Sequence, residues 1–139
     1  MAEVVCIDCL AEGITSARPI VSGKRKPRCA THTRAAKRAA AQRAHEHHVG
    51  KVYGLEPGEY ERLLAFQAGR CAICRWAKGG SGRRLAVDHD HDSGEPRGLL
   101  CQPCNRELLG RHNTEALIRA IAYLNDPAYA RFRRGDPFR

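Results

Sequence analysis

Two cysteine pairs, Cys71-x2-Cys74 and Cys101-x2-Cys104, constrain this chain more than any other feature of it. Paired knuckles at this spacing supply four thiolates to one soft tetrahedral ion, so the stretch between them must fold back until both ends meet at a zinc-type site. Inside that stretch lies Asp88-His89-Asp90-His91, and Asn105 directly follows the last cysteine. Thiolates take the soft ion, which leaves carboxylate, imidazole and amide groups to hold a harder ion in a second place. The sequence therefore reads as two metal sites, one that builds the fold and one that does chemistry.

A second ligand set lies upstream. Cys6-x2-Cys9 and Cys29-x2-His32 offer three cysteines and a histidine. The spacing is that of a zinc ribbon, with the Pro, Gly and basic residues between the pairs forming its exposed turn. Four unrelated residues in a basic arm are the competing explanation; zinc is favoured because all seven cysteines are then used. Metal also answers a shortage of core, since 20 of the apolar residues are alanine and a small chain without large side chains needs a staple.

The formal charge of +9 is unevenly placed, with eight Lys/Arg against the single acid Glu46 over residues 24–48. Such a block favours a polyanion over an acidic small molecule. Lys24, Arg25, Lys26 and Arg28 precede a stretch of high helix propensity, residues 33–48, in which Arg34, Lys37 and Arg38 share a face. A helix with no large apolar stripe needs a partner such as a phosphate backbone, or is a solvated spacer. Arg83 and Arg84 in a glycine-rich loop, and Arg97, are further candidate nucleic-acid contacts. His45, His47 and His48 read as surface residues. No charged start with a following apolar run opens the chain and no stretch is long enough to cross a membrane, so a reducing cytoplasm is expected, with no membrane partner.

The expected fold class is α+β, mostly helical. Residues 50–54 break the first helix; a second runs from about Pro57 with Tyr60, Leu63, Leu64 and Gln67 on one face and stops at Gly69. Leu85-Ala86-Val87 begins a strand that carries Asp88 and His89 at its end, residues 92–96 turn, and Arg97-Gly98-Leu99-Leu100 returns. A helix starts at Cys101 with Pro103 in its first turn and Leu108 and Leu109 on its buried side. Asn113 or Thr114 caps a last helix with a stripe of Leu117, Ile118, Ile121 and Leu124, ended by Pro127. The divisions are a zinc module (1–32), a basic linker helix (33–52), a core (53–127) and a basic aromatic tail (128–139).

Strand, turn, strand and helix bring Asp88, His89 and Asn105 toward one another. Phosphodiester cleavage needs a deprotonated water and a charge that neutralises the developing negative oxygen. A histidine near neutrality suits the first; a divalent ion suits the second. Asp88 and Asn105 supply hard oxygen ligands for Mg2+. The competing explanation is a polar turn with incidental histidines.

At these residues the sequence resembles the recombination endonuclease VII family, part of the wider HNH or ββα-metal (His-Me finger) group. The resemblance rests on Tyr53-Gly54-Leu55 leading into the following helix, on Gly69-Arg70-Cys71-Ala72-Ile73-Cys74, on Val87-Asp88-His89-Asp90-His91, and on Arg97-Gly98-Leu99-Leu100-Cys101-Gln102-Pro103-Cys104-Asn105. Family members often carry an N-terminal paired-knuckle module and basic helix similar to residues 6–48. The resemblance implies structural zinc on Cys71, Cys74, Cys101 and Cys104, catalytic Mg2+ or Mn2+ on Asp88 and Asn105, His89 as general base, and His91 assisting at the phosphate. It implies a DNA endonuclease that leaves a 5′-phosphate, acts on branched DNA such as four-way junctions, and works as a homodimer, in host cytoplasm if phage-encoded. One departure stands out: Leu108 occupies the place, three after the asparagine, where the phage junction resolvase has a functional glutamate, and Glu107 falls one place early. The alternatives are a nicking or non-specific HNH endonuclease without branch preference, and a non-catalytic zinc module that binds DNA.

Overall fold

In the computed structural model, residues 5–14, 18–23, 25–80 and 83–137 are described. The chain mixes helices with two short antiparallel hairpins and divides into two compact units, Met1–Tyr60 and Glu61–Arg139.

In the first unit the Cys6–Cys9 knuckle is the start of a short helix, α1 (Ile7–Ala11). Strands β1 (Ile20–Ser22) and β2 (Arg28–Cys29) pair antiparallel, Ile20 opposite Cys29, as the expected ribbon. Gly23 makes the turn possible: its φ is +85°, and a Cβ there would lie 2.1 Å from the Lys26 carbonyl oxygen. Cys6, Cys9 and Cys29 form the buried cluster, with Ile14 and Ile20 packed on it, so ligands take the place of an aliphatic core.

Helix α2 runs unbroken from Ala30 to Tyr53, which corrects the expected break at residues 50–54. Gly50 stays helical, and the position suits a small residue, since a Cβ there would stand 3.2 Å from the Leu55 carbonyl oxygen. The residue that ends the helix is Gly54, left-handed at φ +69° and donating its N–H to the Gly50 carbonyl. Val49 is buried, and the His45 ring packs edge-on against Tyr60 at 4.4 Å between centroids.

Helix α3 (Glu59–Phe66) leads into the second unit, where Gln67 and Gly69, at φ +70°, follow it. The buried Gln67 amide is a clamp: its nitrogen donates to the Arg70 and Leu99 carbonyls and its oxygen accepts from the Leu99 N–H, each at 2.8 Å. Strands β3 (Ala86–His89) and β4 (Pro96–Leu100) pair antiparallel, with Val87 opposite Leu99 and Asp88 opposite Gly98. Leu99 is fully buried, as is Cys71 of the first central knuckle.

After β4 the expected helix forms, and it is a π-helix, Pro103–Leu109. Gly110 donates to the Asn105 carbonyl, the wide i+5 spacing of such a helix. The wider turn changes which side chains face inward: Cys104 is buried, Leu109 half-buried, and Leu108 exposed rather than on the buried side. Helix α4 (Thr114–Asn125) is capped by Asn113, whose Oδ1 accepts from the Ala116 N–H at 2.9 Å. Pro127 then opens α5 (Ala128–Arg134). Neither helix contains a buried residue, and Ile118, Ile121 and Leu124 of the apolar stripe are exposed.

Candidate active site and metal centres

All seven cysteines are free of disulfides and fall into two four-ligand groups, Cys6–Cys9–Cys29–His32 and Cys71–Cys74–Cys101–Cys104. In each group the ligand atoms lie within 4.8 Å of one another. The Sγ atoms of Cys9 and Cys29, and those of Cys74 and Cys101, are 3.8 Å apart. Two sulfurs on a tetrahedral zinc with bonds of about 2.3 Å are separated by about 3.8 Å, so both groups could hold zinc.

In the N-terminal group the His32 Nδ1 atom faces the three sulfurs at 3.2, 3.4 and 3.4 Å. Its other nitrogen, Nε2, lies 3.1 Å from a Glu12 carboxylate oxygen. A carboxylate behind a ligating imidazole fixes the ring and raises its basicity. The sequence reading missed Glu12, which sits outside both knuckles; an acid three residues after Cys9 was the available signal.

The thiols within each group differ in acidity. Burial pushes the Cys6 thiol up, but backbone N–H groups of Cys29 and Cys9 and the His32 ring outweigh it and bring it to about 6. Cys9, buried and crowded by Cys6 and Cys29, rises to about 11. In the central group burial also opposes ionisation of Cys71, yet N–H donors from Cys101, Cys74 and Ile73 lower it to about 6. Burial and the neighbouring Cys101 and Cys71 raise Cys104 to about 12. Zinc takes cysteine as thiolate, so an ion bound at either group would displace the protons that its thiols still carry.

Of the remaining site residues, all but Asn105 sit on the hairpin between the central knuckles. Asp88 is buried on β3, opposite Gly98. Both its oxygens are held by the Arg97 guanidinium of β4, Nε to Oδ2 at 2.9 Å and Nη2 to Oδ1 at 3.1 Å. The ladder is irregular between Asp88 and His89, the kind of bulge that re-aims side chains. The His89 and His91 rings are brought together, 5.0 Å between centroids. Asp90 closes the turn: its Oδ1 accepts from the N–H groups of Asp92 and Ser93, both at 2.9 Å. Those two bonds, Ser93 first, hold its carboxyl below the usual range. Asn105 is half-buried in the π-helix, one residue after a ligand cysteine, its N–H donating to the Cys101 carbonyl at 2.9 Å.

Of the candidate nucleic-acid contacts, Arg25, Lys26, Arg34, Lys37, Arg38, Arg83 and Arg84 are exposed. Lys24 lies outside the described residues. Arg28 is paired with Asp8 at 2.6 Å, and Arg97 with Asp88, so both have structural partners. Glu107 is exposed and pairs with Arg111 at 2.9 Å.

Residues 52–126, which include the hairpin and the central knuckles, match the recombination endonuclease VII family. The chain belongs to that family. Two phage proteins are similar over 124 residues, 88% of this chain: the Gene 59 protein of Mycobacterium phage D29, 44% identical with 73% of its length covered, and that of Mycobacterium phage L5, 43% identical with 74% covered. No solved structure matches. As an endonuclease VII family member the chain is a nuclease acting on DNA. Among its described residues no helix is long and apolar enough to cross a membrane.

Proposed function

We propose that the protein is a metal-dependent endonuclease of the HNH, ββα-metal type that hydrolyses DNA phosphodiester bonds at the β3–β4 hairpin. The observation that carries this is the Asp88–Arg97 fork: a buried carboxylate, already matched to positive charge, on a hairpin whose far strand runs directly into Cys101. Asp88 and Asn105 would offer hard oxygen donors to Mg2+ or Mn2+, and Arg97 holds the Asp88 carboxylate in place. When bound, that ion supplies Lewis-acid charge for the phosphate oxygen that becomes negative during attack.

The chain's own residues do the rest. His89 takes the proton of the attacking water, and His91, its ring neighbour, donates toward the phosphate. The two zinc-type groups are structural, the first for a 1–32 module and the second for a 53–127 core, and α2 between them carries Arg34, Lys37 and Arg38 to the phosphate backbone. Branched DNA and a homodimer are the finer expectations of the family resemblance; the missing acid at Leu108 instead supports nicking without strict branch preference.

Supercoiled plasmid incubated with Mg2+, or in Mg2+-free buffer with zinc retained, tests the reading. Nicked or linear product only with Mg2+ is expected. DNA binding without any metal-dependent cleavage would mean a zinc module that binds DNA and does not cut it.

A further inference from the structure

Trp76, the chain's single tryptophan, is 78% exposed. Isolated exposed apolar side chains are ordinary, so exposure alone carries nothing here. Two further observations do. First, the backbone that bears the indole is tied down: Cys71 donates to the Ala77 carbonyl at 2.8 Å and Gly79 to the Gly69 carbonyl at 2.9 Å. An Arg70 guanidinium N–H reaches the Arg75 carbonyl at 3.2 Å, across a left-handed Arg75 at φ +65°. The indole is therefore presented on a fixed turn at the end of the central knuckle. Second, it lines a cleft of about 500 Å³ whose walls also carry Lys78, Arg83, Arg84, Pro103 and Glu107. That volume is the size of a small-molecule site.

We propose that this cleft receives a single nucleobase displaced from the duplex stack, with Trp76 against the base face and Lys78, Arg83 and Arg84 on the flanking phosphates. The proposal rests on the reading of the chain as a DNA nuclease and names a substrate feature, unpaired bases near the cut. The charges show why the indole is central. Three cations face one acid, Glu107, which is paired with Arg111. A zinc ion held by the four central thiolates, two of them wall residues, would carry a formal charge of about −2 with them. Phosphate attraction alone is thus weak in the cleft. An aromatic face adds stacking that accepts any base and that a closed duplex cannot use.

The sole tryptophan makes the test direct. Full-length zinc-loaded protein in Mg2+-free buffer is titrated with fluorescein-labelled oligo(dT) of about twelve nucleotides, and separately with a blunt duplex, reading Trp emission and anisotropy. Oligo(dT) is expected to quench Trp76, and the duplex to bind without quenching. Trp76→Ala is expected to weaken oligo(dT) binding by about tenfold or more while Trp76→Phe keeps most of it, with duplex affinity the same in both. Oligo(dT) binding with unchanged emission, equal quenching by duplex, or an Ala variant that binds oligo(dT) normally overturns the proposal. The plasmid assay separates the two readings: Mg2+-dependent cleavage without quenching removes the cleft and spares the nuclease, whereas quenching without cleavage supports the cleft and removes the catalysis.

Discussion

Arg97 grips Asp88 with two parallel hydrogen bonds, at 2.9 and 3.1 Å, from the neighbouring strand. The carboxylate side chain is 10% exposed and the guanidinium 50%, and the same arginine approaches Asp90 at 3.7 Å. A fork of this kind is geometrically specific and satisfies both oxygens of a buried acid. It also means that any cation arriving at Asp88 meets a competitor already in place.

Arg97→Met should therefore have opposite effects on stability and on metal binding. The buried carboxylate loses its partner, costing about 1–2 kcal/mol, less than for a fully buried pair because Arg97 is half in solvent. Mn2+ binding, followed by calorimetry, should tighten once the competing charge is gone, and the melting temperature should recover in excess Mn2+. Equal or weaker Mn2+ affinity in the variant would show that Arg97 does not compete for Asp88.

His89→Ala addresses the proton transfer. Loss of a positioned general base typically lowers rate by about 10²–10⁴-fold, and DNA affinity should not change. His91→Ala should cost less, since its role is assistance at the phosphate. Single-turnover cleavage beside a binding titration gives both quantities, and cutting at the parental rate by the His89 variant would move the base elsewhere.

Gln67 is the polar residue whose loss the fold should feel most. With Gln67→Ala, the Leu99 N–H loses its bond to the amide oxygen and the Leu99 carbonyl its bond to the amide nitrogen, in a residue with 0% exposure. Stranding two buried backbone groups at about 1–3 kcal/mol each gives an expected loss of about 2–6 kcal/mol. Urea unfolding measures it; a loss below about 1 kcal/mol would mean that water replaces the amide.

Local features were legible in the sequence and those that depend on distant partners were not. Knuckle spacing, the Asn113 cap and the β3–β4 hairpin follow from short-range chemistry, so Cys71, Cys74, Cys101 and Cys104 could be grouped without coordinates. Periodicity marked Gln67 as one of a buried face but could not show that its amide would clamp Leu99. Residue spacing marks a helix after Cys101 but cannot distinguish 3.6-residue turns from wider ones, and this misplaced Leu108. Gly50 looked like a helix breaker because its value, room for the Leu55 carbonyl, depends on a chain that returns five residues later. The α4 stripe was read correctly as apolar, yet an apolar period does not say what covers it.

Glu12 tests the reach of such distant partners. Its carboxylate orients His32 from 3.1 Å, and removing an outer-shell acid typically weakens metal binding by about 10–100-fold. Glu12→Ala should release zinc from the N-terminal group first in a chelator competition, leaving one equivalent on the central cysteines. Glu12→Gln, which keeps an acceptor oxygen, should lie between the two. Loss of both ions together would show that the groups are not independent.

Asp90 gives the protein a pH signature at the hairpin turn. N–H donors from Ser93 and Asp92 hold its carboxyl below the usual carboxylate range, and burial opposes them only in part. Because the folded value is the lower one, the carboxylate's contribution is fully present above about pH 4 and declines as pH falls through the folded value. Asp90→Ala removes that contribution at every pH, so parent and variant melting temperatures should differ at neutral pH and converge in acid. Curves that stay parallel down to about pH 2 would show that the turn is held without the charge on Asp90.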